Sequence, residues 1–153
     1  MPDTSDIAPD FTLPRDGGET VTLSALRPGA VVLFFYPRDD TSGCTKESIA
    51  FSGLKAAFDA AGVTVLGISK DSIASHEKFR DKHDLTVPLL SDAEGQVCED
   101  YGVWKEKSMY GKKFMGIERS TVLIDGTGRI ARVWRKVKVP GHAEEVLEAA
   151  RAL

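Results

Sequence analysis

The stretch AVVLFFYPRDDTSGCTKESIAF, residues 30–51, decides how the chain folds. Its first seven residues are a continuous run of apolar, β-branched and aromatic side chains, which is typical of a central strand covered on both faces. Turn-forming residues follow, and Cys44 then stands at the start of what reads as a helix. The stretch therefore predicts a strand, a loop and a helix, with Cys44 where the helix begins.

The sequence that follows extends this unit into an α/β arrangement. Apolar residues recur at intervals of three and four and predict one helix, ended by Gly62. They are Phe51, Leu54, Phe58 and Ala61. The next predicted elements are a strand at 63–69, a helix from 71 or 72 to about 85, a strand at 87–90, and a short helix at 95–101 that carries Cys98.

Two hairpins and a last helix complete the prediction. FTLPRDGGETVTL, residues 11–23, predicts an N-terminal β-hairpin around its glycines, and residues 120–125 and 129–139 predict a second one. The segment 104–118 has the pattern of a long loop. Apolar residues give the last helix one apolar face, namely Ala143, Val146, Leu147, Ala150 and Leu153. The whole predicts a single α/β domain over residues 1–153, a three-layer α/β/α sandwich with a mixed central sheet.

Composition narrows the class of protein. The chain has 153 residues, 42% of them hydrophobic, and a formal charge of -3, so nothing in its balance favours nucleic acid or an anionic membrane. No apolar segment is long enough to cross a bilayer, and the N-terminus lacks a secretory pattern, so we expect a soluble cytoplasmic protein. We interpret the basic residues around Trp134 as protection of a sheet edge rather than as a nucleic-acid strand.

Cys44 has the surroundings of a reactive thiol. The start of a helix favours a thiolate, because unpaired N–H groups and the helix dipole stabilise a negative charge there. Asp39 and Asp40 act against it, so a cation must reach the sulfur. The sequence alone does not nominate that cation. Glu47 shares the helical face of Cys44, and it either offsets the helix N-terminus or holds an arginine in place.

The three histidines give a weaker signal. His76, His83 and His142 fall on polar helix faces or at a helix start, so we expect them to be solvated. They make no recognisable metal spacing with the two cysteines. The absence of a Cys-x-x-Cys motif argues against a disulfide oxidoreductase.

The motif around Cys44 resembles a known family. YPRDDTSGCTKE is similar to the Pro-x-x-x-Thr-x-x-Cys motif of the peroxiredoxins, with Pro37, Thr41 and Cys44 in register and Glu47 following. Similar stretches cover nearly the whole chain, namely APDFTLPRDGG, VLGIS, LLSDAEGQVCEDYGVW and GIERSTVLID. The pattern resembles the bacterioferritin comigratory protein or peroxiredoxin Q group. This resemblance implies a thioredoxin-like fold and an antioxidant enzyme that reduces hydrogen peroxide and organic hydroperoxides with electrons from thiols.

The resemblance also implies roles for individual residues. Arg119 in GIERST matches the family's active-site arginine and would supply the missing cation. Cys44 would attack the peroxide and become a sulfenic acid, while Arg119, the Thr41 hydroxyl and N–H groups around Gly43 stabilise the leaving oxygen. Pro37 would shield the pocket. The implied chemistry needs no metal, flavin or nucleotide.

The chain departs from the family pattern at two places. Ser42 stands where many members have proline. Ile49 stands where many carry the resolving cysteine, and the helix predicted to end near residue 85 contains none. Cys98 remains, 54 positions after Cys44, and we interpret it as a packed apolar thiol.

We therefore expect a one-cysteine cycle in a monomer, with a thioredoxin-like protein, glutaredoxin or a low-molecular-weight thiol such as glutathione as reductant. Three alternatives stay open: a dimer, a two-cysteine cycle in which Cys98 resolves the sulfenic acid, and a peroxide-sensing interaction protein in which turnover is incidental. The basic segment 105–113 is a candidate contact for a reductant or for another subunit.

Overall fold

The computed structural model describes residues 2–153. Its strands are β1 (Thr12–Pro14), β2 (Thr20–Thr22), β3 (Ala30–Phe35), β4 (Val63–Ser69), β5 (Leu89–Ser91), β6 (Trp104–Met109), β7 (Lys112–Ile117), β8 (Ser120–Ile124) and β9 (Ile130–Trp134). Its helices are α1 (Ser42–Gly53), α2 (Lys55–Ala60), α3 (Ile73–His83), α4 (Val97–Asp100) and α5 (His142–Arg151).

The central sheet has the strand order β5-β4-β3-β8-β9. Strands β3, β4 and β5 are parallel, whereas β8 is antiparallel to β3 and β9 is antiparallel to β8. The apolar run of β3 lies in the middle, because both of its edges are paired and both of its faces are covered. The predicted mixed sheet and the N-terminal hairpin of β1 and β2 are therefore confirmed.

The two faces of the sheet pack against different parts of the chain. Alternate residues of β3 point to opposite faces, and the side of Val32 and Phe34 packs against α1, α2, α3 and α5. The side of Val31 and Leu33 packs against the N-terminal segment and α4. The four longer helices thus share one face, and the short helix α4 and the N-terminal segment cover the other.

The helix after Cys44 is shorter than the sequence predicts. It ends at Gly53, and Leu54 separates α1 from α2 with φ -101° and ψ 4°. The Leu54 N–H is shared between the carbonyls of Ala50 and Phe51, a three-centre bond typical of a helix end. The apolar stripe continues because Phe58 of α2 packs into the same core cluster as α1. Two further predicted apolar positions, Ala61 and Leu153, are exposed.

The segment predicted as a long loop is a β-hairpin, so that prediction is wrong. Strands β6 and β7 pair from Trp104 with Ile117 to Met109 with Lys112, as a two-stranded sheet separate from the central one. Only Trp104 and Ile117, at its base, pack against a core cluster. Because the rest of the hairpin is mostly exposed, its sequence carries no alternation of apolar and polar residues.

Within residues 2–153, every helix falls short of the length and apolarity that a membrane crossing requires.

Candidate active site

Cys44 lies just beyond the carboxyl end of β3, in the first turn of α1. Its side chain is fully buried. The buried residues of α1 recur three, four and seven positions after Cys44 and form one helical face, namely Glu47, Ser48 and Phe51. The sequence prediction for this position is therefore confirmed, and the thiol lies under the helix rather than on its open side.

Arg119 joins Cys44 to Glu47. Its Nη2 donates to the Cys44 Sγ at 3.2 Å, and its Nη1 donates to Glu47 Oε1 at 2.7 Å. The sheet makes this contact, because Ser120 at the start of β8 pairs with Phe35 at the end of β3 and so places Arg119 beside the segment that joins β3 to α1. The structure thus brings together three of the residues that the sequence analysis named.

Glu47 is a buried carboxyl group with a single partner. Burial raises its pKa to about 7, although the charge and hydrogen bond of Arg119 act in the opposite direction. Its Oε2 makes no hydrogen bond to any residue between positions 2 and 153. Of the two interpretations of Glu47, the contact with Arg119 favours the one in which it holds an arginine in place.

Three residues of the motif surround this contact differently. A Cβ atom at Gly43 would lie 3.0 Å from Arg119 Nη2, so the arginine passes directly over the glycine. Thr41 is exposed, and its hydroxyl donates to the Arg38 carbonyl at 3.0 Å. Pro37 is half-buried at the start of the loop. In this structure, Gly43 adjoins the arginine directly, whereas the Thr41 donor is engaged elsewhere.

The Asp39 carboxylate is bonded within a buried network below the loop. It accepts hydrogen bonds from the Tyr36 hydroxyl at 2.6 Å and the Ser75 hydroxyl at 2.8 Å, and His76 Nδ1 lies 2.7 Å away. His76 Nε2 lies 2.9 Å from the Leu90 carbonyl, which can only accept. Burial lowers the pKa of His76, but Asp39 outweighs that effect and raises it. We assign His76 as an imidazolium paired with Asp39.

Two basic side chains of α3 bind Asp40. It has a left-handed backbone, with φ 59°, and binds Lys82 at 2.7 Å and His83 at 3.0 Å. Together with Asp39, it fastens the loop to α3. Both carboxylates are therefore paired with donors of their own, although their positions in the sequence suggested that they oppose a thiolate at Cys44.

The expectation of solvated histidines is wrong for two of the three. His76 is fully buried, and His142 is 5% exposed with its Nε2 2.8 Å from the Thr121 hydroxyl. Burial is the main reason that the pKa of His142 is lowered. The sequence could not indicate either, because the partners of these histidines lie 37 and 21 positions away.

One cluster in the described chain has groups that could hold a metal ion. The ligand atoms of Asp39, Asp71 and His76 lie within 4.8 Å of one another. Both ring nitrogens of His76 are hydrogen-bonded, and Asp71 Oδ2 accepts from the Asp39 N–H at 2.8 Å and the Ser69 hydroxyl at 2.6 Å. These donors already satisfy the cluster, so we interpret it as the support of the loop.

Cys98 lies on the other face of the sheet. It is fully buried in the core cluster of the N-terminal segment and α4, whereas Cys44 belongs to the cluster of the longer helices. Its N–H donates to Asp92 Oδ2 at 2.8 Å. Burial and the charge of Asp92 raise the pKa of the Cys98 thiol far above its ordinary value. The structure does not bring Cys98 to the site of Cys44.

A thioredoxin-like fold with a cysteine at the end of a central strand is the architecture of thiol-based redox enzymes, and comparison with known proteins identifies the family. The model of the AhpC/TSA family matches residues 4–133, so the chain belongs to that family. Its relatives place it in the bacterioferritin comigratory protein or peroxiredoxin Q group. The protein is a peroxiredoxin, a thiol-dependent peroxidase.

The relatives match over almost their whole length. The putative peroxiredoxin Bcp of Coxiella burnetii is 53% identical over 140 residues, covering 92% of this chain and 93% of the relative. The bacterioferritin comigratory protein of Xanthomonas campestris, solved in work on its alkyl peroxide reduction, is 45% identical with a TM-score of 0.88, covering 93% and 90%. A cysteine-to-serine variant of Xylella fastidiosa PrxQ has a TM-score of 0.93 at 42% identity, covering 99% and 97%.

Proposed function

We propose that Cys44 is the peroxidatic nucleophile and that it reduces hydrogen peroxide and organic hydroperoxides. Its thiolate attacks one peroxide oxygen, a sulfur–oxygen bond forms and the oxygen–oxygen bond breaks. The second oxygen leaves with the electron pair of that bond and takes a proton to become water or an alcohol. Alkyl peroxide reduction by the relative from Xanthomonas campestris supports the organic substrates.

The observation that carries this proposal is the contact of Arg119 with both Cys44 and Glu47. A guanidinium beside the sulfur stabilises the thiolate before the reaction. It then lies beside the leaving oxygen, where negative charge develops in the transition state. Glu47 holds the guanidinium by a buried charge-assisted hydrogen bond, so Arg119 does not have to be ordered during the reaction.

The remaining motif residues have supporting roles in this proposal. Gly43 gives Arg119 the space to reach the sulfur. Pro37 shields one side of the loop, and Thr41 provides a hydroxyl that would have to leave the Arg38 carbonyl to donate to the peroxide. Cys44 is fully buried, so a peroxide must displace part of the loop to reach it.

We further propose a one-cysteine cycle. Ile49 occupies the position five residues after Cys44, and Cys98 is held on the opposite face of the sheet with a thiol that resists ionisation. An external thiolate therefore attacks the Cys44 sulfenic acid and displaces hydroxide to form a mixed disulfide. A second thiol then releases Cys44 as thiolate. A thioredoxin-like protein or glutathione would serve as reductant, and we propose a cytoplasmic, monomeric protein with one domain over residues 1–153.

The test is the intact mass of the protein after one equivalent of peroxide, measured without reductant. We expect a gain of about 16 Da for a sulfenic acid at Cys44. A loss of about 2 Da would indicate a Cys44–Cys98 disulfide and overturn the one-cysteine cycle.

The Cys44→Ser variant provides the second arm. We expect it to lose all thiol-dependent peroxide consumption, because the nucleophile is removed. Turnover that survives this change would contradict the assignment of Cys44. Slow reduction by every thiol tested, with a partner trapped as a mixed disulfide, would instead support a peroxide sensor.

A further inference from the structure

We propose that one face of the β6–β7 hairpin is the docking surface for an acidic protein reductant that carries a dithiol. This inference rests on the proposed one-cysteine cycle, which requires an external thiol at Cys44. We call the surface the lysine face, and it consists of Lys105, Lys107, Met109, Lys112 and Phe114.

The hairpin concentrates the exposed apolar side chains of the molecule. Seven large hydrophobic residues are exposed within residues 2–153, and four of them lie here, namely Met109, Tyr110, Phe114 and Met115. Tyr110 at the tip is 97% exposed. Clustered exposed apolar residues on a small two-stranded sheet are typical of an interaction site, whereas single ones are ordinary.

The register separates the two faces of the hairpin. Lys107 pairs with Phe114 and Met109 pairs with Lys112, so these side chains point to one side of the ribbon. Glu106 pairs with Met115, and both point to the other side. The position of Lys107 confirms the division, because its Cδ would lie 3.1 Å from a Cβ at Gly116 on the lysine face.

Charge is distributed unequally between these faces. The lysine face carries three lysines and no acidic residue. On the opposite face, Lys113 lies 3.7 Å from Glu106 and forms a salt bridge with it. The chain as a whole has a formal charge of -3, so this positive face differs in sign from the molecule that bears it. Such a face attracts an acidic surface and orients it during encounter.

The lysine face adjoins the catalytic site. Burial lowers the pKa of Lys107, and Arg119 lowers it further, whereas the Cys44 sulfur acts in the opposite direction. These shifts agree with the position of Lys107 on β6, which pairs with the strand that leads to Arg119. The lysine face also lies next to Arg119 along the chain, since Arg119 follows the last residue of β7 by two positions. A partner seated on this face lies next to the segment that carries Arg119, the residue that contacts Cys44.

A different, acidic protein fits this face better than a second copy of the chain or a small thiol does. In a symmetric dimer the same patch meets itself, which would bring lysines against lysines. Strands of six residues span about 20 Å, the width of a contact with a folded partner rather than with a small thiol. Phe114, 44% exposed, offers an apolar centre between the lysines.

The reaction at this face is a thiol exchange. The partner's first thiolate attacks the Cys44 sulfenic acid, a sulfur–sulfur bond forms and hydroxide leaves with a proton from the solvent as water. The partner's second thiolate attacks the partner's sulfur in that bond and releases the Cys44 thiolate. The partner ends as an internal disulfide, so the two electrons that reduced the peroxide come from its dithiol.

Adjacent residues of β7 provide a matched test. Lys112 and Lys113 are both exposed and carry the same charge, but they point to opposite faces. With thioredoxin as the probe, we expect Lys112→Glu to lower kcat/KM for the reductant about tenfold, with a smaller loss at high salt, and Lys113→Glu to change it less than about twofold. With dithiothreitol, a small neutral dithiol, both variants should match the wild type.

Each other outcome overturns the docking surface. Equal losses for the two variants, or a loss by Lys112→Glu that is as large with dithiothreitol, would contradict it. So would a change in sedimentation coefficient showing that Lys112→Glu disrupts a dimer. If the wild type consumes no peroxide with either reductant, the proposed function itself fails, and this result is distinct from the preceding ones.

A second matched pair tests the apolar part. Phe114→Ser on the lysine face should weaken turnover with thioredoxin, and Met115→Ser on the opposite face, 48% exposed, should not. Equal effects of the two serine variants would contradict the proposal.

Discussion

The two cysteines are buried to the same extent and differ in what surrounds them. Cys44 and Cys98 both have side chains that solvent does not reach. Cys44 accepts a hydrogen bond from the Arg119 guanidinium, whereas Cys98 lies beside the Asp92 carboxylate. Burial alone disfavours a thiolate at both places. In the proposed mechanism, the neighbouring charge rather than exposure therefore distinguishes the nucleophilic sulfur from the inert one.

The polar groups around the two cysteines also differ in how completely they are paired. Asp92 is buried with hydrogen bonds from the N–H groups of Val97 and Cys98 and an ion pair to Lys70 at 3.3 Å. Glu47 has one bonded oxygen and one without a partner in the described chain. The polar groups around Cys98 are thus fully paired, whereas Glu47 beside Cys44 has a pKa of about 7 and can change its protonation state near neutral pH.

Removing the arginine should abolish most of the difference between the two sulfurs. We expect Arg119→Ala to lower the rate constant of Cys44 with peroxide by about 10²–10³, the loss typical of one donor to a developing oxyanion. Stopped-flow measurement of the oxidation step checks it. Arg119→Lys is the matched variant, and it should recover only part of the rate, because one ammonium cannot reproduce the paired donors to Cys44 and Glu47. Full recovery with lysine would contradict the bridging role.

Neutralising Glu47 should sharpen the comparison through pH. We expect Glu47→Gln to lower the peroxide rate constant about tenfold, equivalent to about 1.4 kcal/mol, because the arginine loses its charged partner. The wild-type rate should include an ionisation near pH 7, the pKa of Glu47, that is missing in the variant. A variant profile identical to that of the wild type would contradict this.

The ionisation of Glu47 should favour the reaction with peroxide but lower the stability of the fold. An unfolded Glu47 releases its proton near its ordinary pKa of 4.5, but the folded protein retains it up to about pH 7. Folding therefore binds a proton in this window, and the free energy of unfolding should fall by about 3 kcal/mol as pH rises through it. Urea denaturation at pH 5 and pH 8 measures the fall, which Glu47→Gln should remove.

Changing Cys98 should have the smallest effect. We expect Cys98→Ser to retain turnover within about twofold with any thiol, and to lose about 1 kcal/mol of stability because a buried hydroxyl is costlier to desolvate than a thiol. Cys98→Ala, which adds no polar group, is the control for packing. If both Cys98→Ser and Cys98→Ala lost turnover although each remained folded in the assay, Cys98 would resolve the sulfenic acid after all.

The elements that the sequence predicted well are those with local causes. Strand β4 has the predicted limits because its apolar run is continuous. Ser72, one of the two positions predicted for the start of this helix, caps α3 by accepting a hydrogen bond from the Ser75 N–H at 3.2 Å. The break at Leu54 was missed because the apolar stripe crosses it without interruption.

The site was predictable only in part, for a physical reason. The position of Cys44 follows from strand, loop and helix signals within residues 30–51. The contacts of Arg119 join residues 72 and 75 positions apart, and the burial of His76 depends on Asp39, 37 positions away. Such pairings depend on the register of the sheet, and the family resemblance named Arg119 where residue patterns could not.

Gly43 has a consequence for redesign of the loop. Its neighbour Ser42 is exposed and is open to replacement. A methyl group at Gly43 would meet Arg119 Nη2, the nitrogen that donates to Cys44 Sγ, at 3.0 Å, so the guanidinium would have to shift by a few tenths of an ångström. A design that stiffens this segment can therefore replace Ser42 but not Gly43. Alanine at position 43 would leave the fold intact and disturb the contact of Arg119 with Cys44.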